Sequence, residues 1–279
     1  MELFPADLLK PESIEAAVQG CEYVVHTASP FPLEVPKNED ELVRPAVEGT
    51  MAVVRACHKN RVKRLVLTSS VAAIMYKAGR DFQLINTENE WTDTTTCGAY
   101  EKSKTLAERA AWDFMNALPE GEKFELVVIN PSFIMGPSLL DNGDFSSATF
   151  IKRLLKGSYP GMPKIKFGIV DVREVALAHL RGLQVPEARN QRFILNSQVV
   201  WFKEMASYLK ERYPRNGIKT KEFGYCPVRT LSLVDSSVKL ILPMWNKEFE
   251  LVNTRSREVL GIEYRTAEEA IVAMAESLV

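Results

Sequence analysis

The chain has 279 residues, 46% of them hydrophobic, with 35 basic and 36 acidic side chains and a formal charge of -1. That length is enough for one large domain or two ordinary ones, and it buries a sizeable core without staples. The balanced, interspersed charge argues against a nucleic-acid surface or a polybasic membrane contact, and no apolar run approaches the roughly 18 residues of a membrane span.

The opening "MELFPADLLKPESIE" has no basic segment leading into a continuous apolar stretch, so a secretory signal is not expected. Four cysteines, at positions 21, 57, 97 and 226, lack C-x-x-C spacing and read as reduced thiols of a cytoplasmic protein. His26, His58 and His179 lie far apart without H-x-x-x-H spacing, so no metal is expected.

In chain order, "EYVVHTA" (22–28) reads as a strand, followed by a helix over 38–58 and a strand "KRLVLTSS" (63–70). A helix over 98–117 leads to the strand "FELVVINPS" (124–132). The first three strands have nearly continuous apolar centres, the pattern of strands buried on both faces. The Pro/Gly-rich stretches 131–143 and 157–168 read as loops. A helix over 171–184 follows, with Asp171 and Glu174 in capping-box spacing, and then a strand "RFILNS" (192–197). Helices at 201–212, 228–240 and 266–278 complete the chain.

Strands alternating with helices imply crossover units and an α/β doubly wound parallel sheet. Ligands in such sheets collect at the carboxyl ends of the strands. Here those ends are Thr27–Ser29, Thr68–Ser70 and Pro131–Ile134, all rich in small or hydroxylated residues.

Tyr100 and Lys104, four residues apart, share one helix face. A phenol titrates near pH ~10, and a nearby ammonium lowers that value toward useful proton transfer. A serine hydroxyl could hold the carbonyl oxygen that receives the proton. Ser70 and Ser69 are alternatives for this, since neighbouring strand residues face opposite ways. The pair alone is weak: eight tyrosines in such a chain should yield about half a chance Y-x-x-x-K match. Its position after "LTSS", within a parallel α/β pattern, is what gives it weight.

Seven ordered blocks carry a family resemblance: "ADLLKPESIEAAVQGCEYVVHTASPF" (6–31), "PAVEGTMAVVRAC" (45–57), "VKRLVLTSS" (62–70), "TENEWTD" (87–93), "YEKSKTLAERAAW" (100–112), "VVINPSFIMGP" (127–137) and "VDVREVALAHL" (170–180). The chain resembles the extended short-chain dehydrogenase/reductase superfamily, in the group of dihydroflavonol 4-reductases and cinnamoyl-CoA reductases. The resemblance implies a Rossmann-type fold and NADP-dependent interconversion of a small-molecule carbonyl and alcohol, with NAD not excluded. It implies Tyr100 as proton donor, Lys104 as the group that lowers its pKa and holds the nicotinamide ribose, and Ser70 as carbonyl orienter. Asp7 and Leu8 would lie against the adenine, and Thr27, Ala28 and Ser29 would line the middle of the cofactor. Thr68 would sit under the nicotinamide side, with Pro131, Phe133 and Ile134 near the nicotinamide and Ser146 at an outlying contact. A turn carboxylate is the alternative for Asp7, and an ordinary strand exit for the Pro131 segment. The implied organisation is a dinucleotide-binding unit over 1–135, rejoined by 169–200, and a smaller substrate lobe from 136–168 and 201–279. The two long helices, 38–58 and 98–117, resemble those that pair relatives into a homodimer.

Two features depart from the group. The chain opens almost at "ADLL", whereas the family first has a strand, a G-x-x-G-x-x-G turn, a helix and a second strand; no such glycine motif occurs anywhere in the sequence. The expectation is therefore a reductase missing its first βαβ unit, with an unpaired strand edge and no phosphate cradle. Around the tyrosine, "TTTCGAYEKSK" replaces the N-W-Y-C-Y-G-K type stretch of cinnamoyl-CoA reductases. Met75 stands where flavonoid reductases commonly place a polar residue. Neither plant activity carries over directly. A non-catalytic binding chain, and an extended-family epimerase or hydroxysteroid dehydrogenase, are the alternative readings.

Overall fold

The computed structural model describes residues 2–29, 38–77, 84–139, 146–232 and 242–279. In chain order the elements begin α1 (Pro11–Val18), β1 (Tyr23–His26), α2 (Asp40–Lys59), β2 (Arg64–Thr68), β3 (Ile85–Asn86), α3 (Ala99–Ala117), β4 (Glu125–Pro131), β5 (Phe133–Met135) and α4 (Ser146–Leu155). They continue β6 (Lys166–Asp171), α5 (Val172–Gln184), β7 (Gln191–Leu195), β8 (Gln198–Trp201), α6 (Phe202–Arg212), α7 (Tyr225–Leu231), β9 (Glu250–Leu251), α8 (Thr254–Glu258) and α9 (Ala267–Glu276).

The four strands expected from apolar runs form one parallel sheet in the order β1-β2-β4-β7. Their period-two alternation explains the layering. Leu65, Leu67, Leu126 and Val128 pack with Ile14, Val54, Ala111 and Met115 from α1, α2 and α3. Val66, Val127 and Ile129 face the opposite way, against Val175 and Ala178 of α5. Fully burying each such Leu or Ile contributes about 1.5–3 kcal/mol, so a one-residue slip of register would forfeit many such terms. Buried Arg64 closes the α5 face: its Nη1 donates to the carbonyls of Gly182, Leu183 and Val185, which the end of the helix leaves unpaired.

A second apolar cluster holds the remaining elements together. β5 pairs parallel with β6, and β6 pairs antiparallel with β8. Met135, Ile151, Ile169, Met205 and Ile271 are buried among this sheet, α4, α6 and α9. Phe133, Phe150, Phe167 and Phe202 stack edge-on or tilted with centroids 5.1–5.8 Å apart.

Several expectations need correction. The stretches read as loops contain β5 and the start of β6, because a three-residue strand that stops before Gly136 and a strand interrupted by Gly168 carry a weak periodic signal. α1 and α4 went unread for the same reason: each is only a few turns long. The helix expected at 228–240 starts earlier, at Tyr225, and residues 233–240 lie outside the described set. Asp171 does cap α5, accepting from the Arg173 amide at 2.8 Å, but Glu174 does not reach back to complete a box. Its carboxylate instead pairs with Arg265.

Among the described residues, β1 pairs only with β2. Its outward side chains Tyr23 and Val25 are 46% and 42% exposed.

Candidate active site

Parallel pairing brings the carboxyl ends of β1, β2 and β4 to one rim. His26 lies opposite Leu67, and Thr68 opposite Ile129. Beyond β2 the chain turns sharply: Ser70 is extended and its Oγ accepts from the Ala72 amide at 3.1 Å, capping the short turn Val71–Ala73. This holds the Ser70 hydroxyl at the rim rather than on a strand face.

Alanine-rich α3 packs its buried face, Ser103, Lys104, Ala107, Glu108 and Ala111, towards α2 and the sheet. That face delivers Tyr100 and Lys104 to the same rim. Tyr100 is hydrogen-bonded to Ser70. The Lys104 ammonium lies 5.7 Å from the centre of the Tyr100 ring. Between the two serines the geometry is unequal: Ser69 is turned away, its hydroxyl donating to Glu108 at 2.5 Å.

The electrostatics are set mainly by burial. Burial pushes the Tyr100 phenol up to about 12; the Ser70 hydrogen bond opposes this, and the Glu101 carboxylate adds to it. Lys104 is not among the groups that move the phenol, so the expected lowering by the ammonium is not seen and desolvation sets the direction. Burial brings Lys104 down to about 8. His26 is depressed to about 4 by burial and then by the Lys104 charge. Half-buried Tyr76 is raised well above its ordinary value by desolvation and by the neighbouring Glu101 and Tyr100.

The remaining expected site residues are spread more widely. Asp7 is exposed, and its Oδ1 accepts from the Leu9 amide at 2.9 Å, a turn carboxylate in form. Leu8 is half-buried against Gly49 of α2. Thr27 and Ala28 are exposed and Ser29 half-buried just past β1. Thr68 faces α5, where its hydroxyl meets His179 Nε2 at 2.6 Å. The His179 Nδ1 donates to the Val175 carbonyl, which makes Nε2 the acceptor and Thr68 the donor. Pro131 ends β4; Phe133 belongs to the aromatic cluster, and Ile134 packs on the α5-side core. Ser146 opens α4, half-buried.

Sequence reasoning missed a buried polar group beneath the rim. Glu108, Asn130 and Arg192 have 1%, 0% and 7% exposure. The available signal was the third member of a Tyr100–Lys104–Glu108 stripe at i, i+4, i+8. Met75, five residues after Ser70, is buried beside Ile74, Ile194 and Leu251, so that position is core here. Among the described residues, no three His, Cys, Asp or Glu side chains are grouped to hold a metal, and no helix is long and apolar enough to cross a membrane.

A cofactor fits one part of this site. Among the described residues the buried Lys104 ammonium has no carboxylate or hydroxyl partner, which suits the hydroxyls of a ribose. The rim hydroxyls of Ser70 and Tyr100 suit a carbonyl beside it. For a pyrophosphate the chain has no G-x-x-G-x-x-G turn.

The parallel α/β sheet is Rossmann-type, and the chain's relatives show an oxidoreductase of the extended short-chain dehydrogenase/reductase kind. The chain belongs to the 3-beta hydroxysteroid dehydrogenase/isomerase family, whose pattern it matches over residues 2–210. It is 34% identical to a cinnamoyl-CoA reductase of Medicago truncatula over 100% of this chain and 79% of that protein. It is 38% identical to tetraketide alpha-pyrone reductase 1 of Arabidopsis thaliana, over 77% of this chain and 66% of the relative. The chain thus spans about two thirds to four fifths of these relatives. Yeast methylglyoxal/isovaleraldehyde reductase Gre2, solved with NADPH, superposes with a TM-score of 0.81 at 28% identity, covering 100% of this chain and 83% of Gre2.

Proposed function

We propose that this chain carries the catalytic centre of an NADPH-dependent reductase that converts an aldehyde or ketone to an alcohol, or runs the reverse reaction. The Ser70–Tyr100 hydrogen bond, beside a buried Lys104 with no carboxylate or hydroxyl partner among the described residues, is the observation that carries this reading. When bound, NADPH would be the source of the hydride that the carbonyl carbon accepts. Ser70 holds the carbonyl oxygen, and Tyr100, fully protonated at neutral pH, delivers its proton to that oxygen as negative charge develops there. Lys104 holds the nicotinamide ribose and steadies the phenolate left behind. Thr27, Ala28, Ser29, Thr68, Pro131, Phe133 and Ile134 would line the cofactor side, with Asp7 and Leu8 towards its adenine. The apolar cluster built on 136–168 and 201–279 would form the substrate lobe.

The test is loss of NADPH absorbance with a panel of aldehydes and ketones. Tyr100→Phe should lower turnover about 10²–10⁴-fold without changing the fold. Wild-type turnover by that variant would overturn the mechanism. A second reading, a non-catalytic chain that docks a partner strand, draws on the edge of β1 that pairs with no strand among the described residues, with exposed Tyr23 and Val25. Calorimetric titration with NADPH separates the two, since tight binding favours the enzyme.

A further inference from the structure

Glu108 sits at the centre of a polar cluster that the proposed chemistry does not use. It lies one helical turn beyond Lys104 and two beyond Tyr100, on the same face of α3. Its side chain is wholly enclosed, and each carboxylate oxygen accepts two hydrogen bonds. Oε2 receives the Ser69 hydroxyl at 2.5 Å and the Asn130 amide at 2.9 Å. Oε1 receives Arg192 Nε at 2.5 Å and the Trp112 indole at 3.3 Å.

Three of these four donors come from strands or their ends, and Trp112 from α3 itself. Ser69 follows β2, Asn130 lies in β4 and Arg192 in β7. The Asn130 Nδ2 also donates to the backbone carbonyl of Ser70 at 3.1 Å. Arg192 is fixed in turn by the carbonyls of Glu88 and Glu90, both at 2.8 Å, and by the Trp91 ring at 3.8 Å. Glu108 is therefore tied rigidly to the helix that carries Tyr100 and Lys104. Through Ser69 and Asn130 it is tied equally to both sides of Ser70. The Glu108 carboxylate is fully satisfied, while Asn130 Oδ1 and Arg192 Nη2 have no hydrogen-bond partner among the described residues. Buried bonds of this kind favour one geometry, and deleting Glu108 or Asn130 leaves buried partners uncompensated.

We infer that Glu108, together with Asn130, is the positioning device that sets the Ser70 hydroxyl against the Tyr100 phenol. This rests on the catalytic reading of Ser70, Tyr100 and Lys104 given above. Reacting groups misplaced by about 1 Å lose on the order of a hundredfold in rate, so holding the two hydroxyls in register is a function in its own right.

The readout is the titration of Tyr100, followed by fluorine NMR in 3-fluorotyrosine-labelled protein and assigned with Tyr100→Phe. The phenol is otherwise faced by Glu101, Lys104 and Tyr76, which the variants leave in place. Ser70→Ala should raise the Tyr100 midpoint, since the Ser70 hydrogen bond holds it down. Glu108→Gln and Asn130→Leu should each raise it similarly, and neither should raise it further when combined with Ser70→Ala. Mere loss of the Glu108 negative charge would move the midpoint down instead. A downward, absent or additive shift in folded variants overturns the inference. If Glu108→Gln fails to fold by circular dichroism, uncharged Asn130→Leu decides alone. No turnover enters this measurement, so the catalytic reading stands or falls separately, with Tyr100→Phe.

Discussion

Lys104→Met should make the protein more stable while ending its chemistry. The buried ammonium has its pKa brought from 10.5 to about 8 by desolvation. Between those values the unfolded chain binds a proton that the folded chain does not, so stability rises with pH across that window. Below pH 8 the full cost of keeping Lys104 charged in the fold is present. At 1.36 kcal/mol per pH unit that cost is about 3 kcal/mol at pH 7 and falls to about 1.5 kcal/mol at pH 9.5. Methionine has nearly the same length and no charge, so the variant should gain those amounts. In a domain of this size that corresponds to about 5 °C in thermal midpoint at neutral pH. Urea unfolding of both proteins at the two pH values measures the difference. A variant that is less stable at pH 7, or whose advantage is equal at both pH values, would refute the account of a costly functional cation.

His26 is held near 4 instead of 6.5, so it stays neutral in the fold while the unfolded chain takes up its proton first. Stability should therefore fall by about 3 kcal/mol as pH drops from 6.5 to 4, and His26→Gln should remove that part of the acid limb in urea titrations. In Lys104→Met the His26 titration, read by proton NMR, should move upward, because the ammonium contributes to its depression. Gly136 has φ +111°, and a Cβ there would sit 2.8 Å from Asp171 Oδ1 and 2.9 Å from Val172. Gly136→Ala should cost about 1–3 kcal/mol in unfolding free energy, and an unchanged midpoint would contradict it.

The four strands of the main sheet and the long helices α2, α3 and α5 were legible from the sequence because each repeats its signal over many residues. Leu65, Leu67, Leu126 and Val128 read as continuous apolar runs, as a sheet covered on both faces requires. The stripe of Tyr100 and Lys104 was legible too, since i and i+4 share a helix face wherever the helix lies. The sequence by itself thus determined the layered α/β plan and the shared helix face of Tyr100 and Lys104.

Only the tertiary structure decided how those residues meet. That Ser70 and not Ser69 reaches the phenol depends on the extended backbone at Ser70 and the turn it caps, which strand alternation does not foresee. Glu108, Asn130 and Arg192 are 84, 62 and 22 positions apart pairwise in a chain that gives no local hint of their contact. Their pairing depends on which strands neighbour which, a non-local matter. Burial decided the charges likewise: the pattern expected Lys104 to lower Tyr100, but the close packing around both groups raises the phenol and lowers the amine. Desolvation depends on everything that surrounds a group, and spacing along a chain reports only what lies on its own helix.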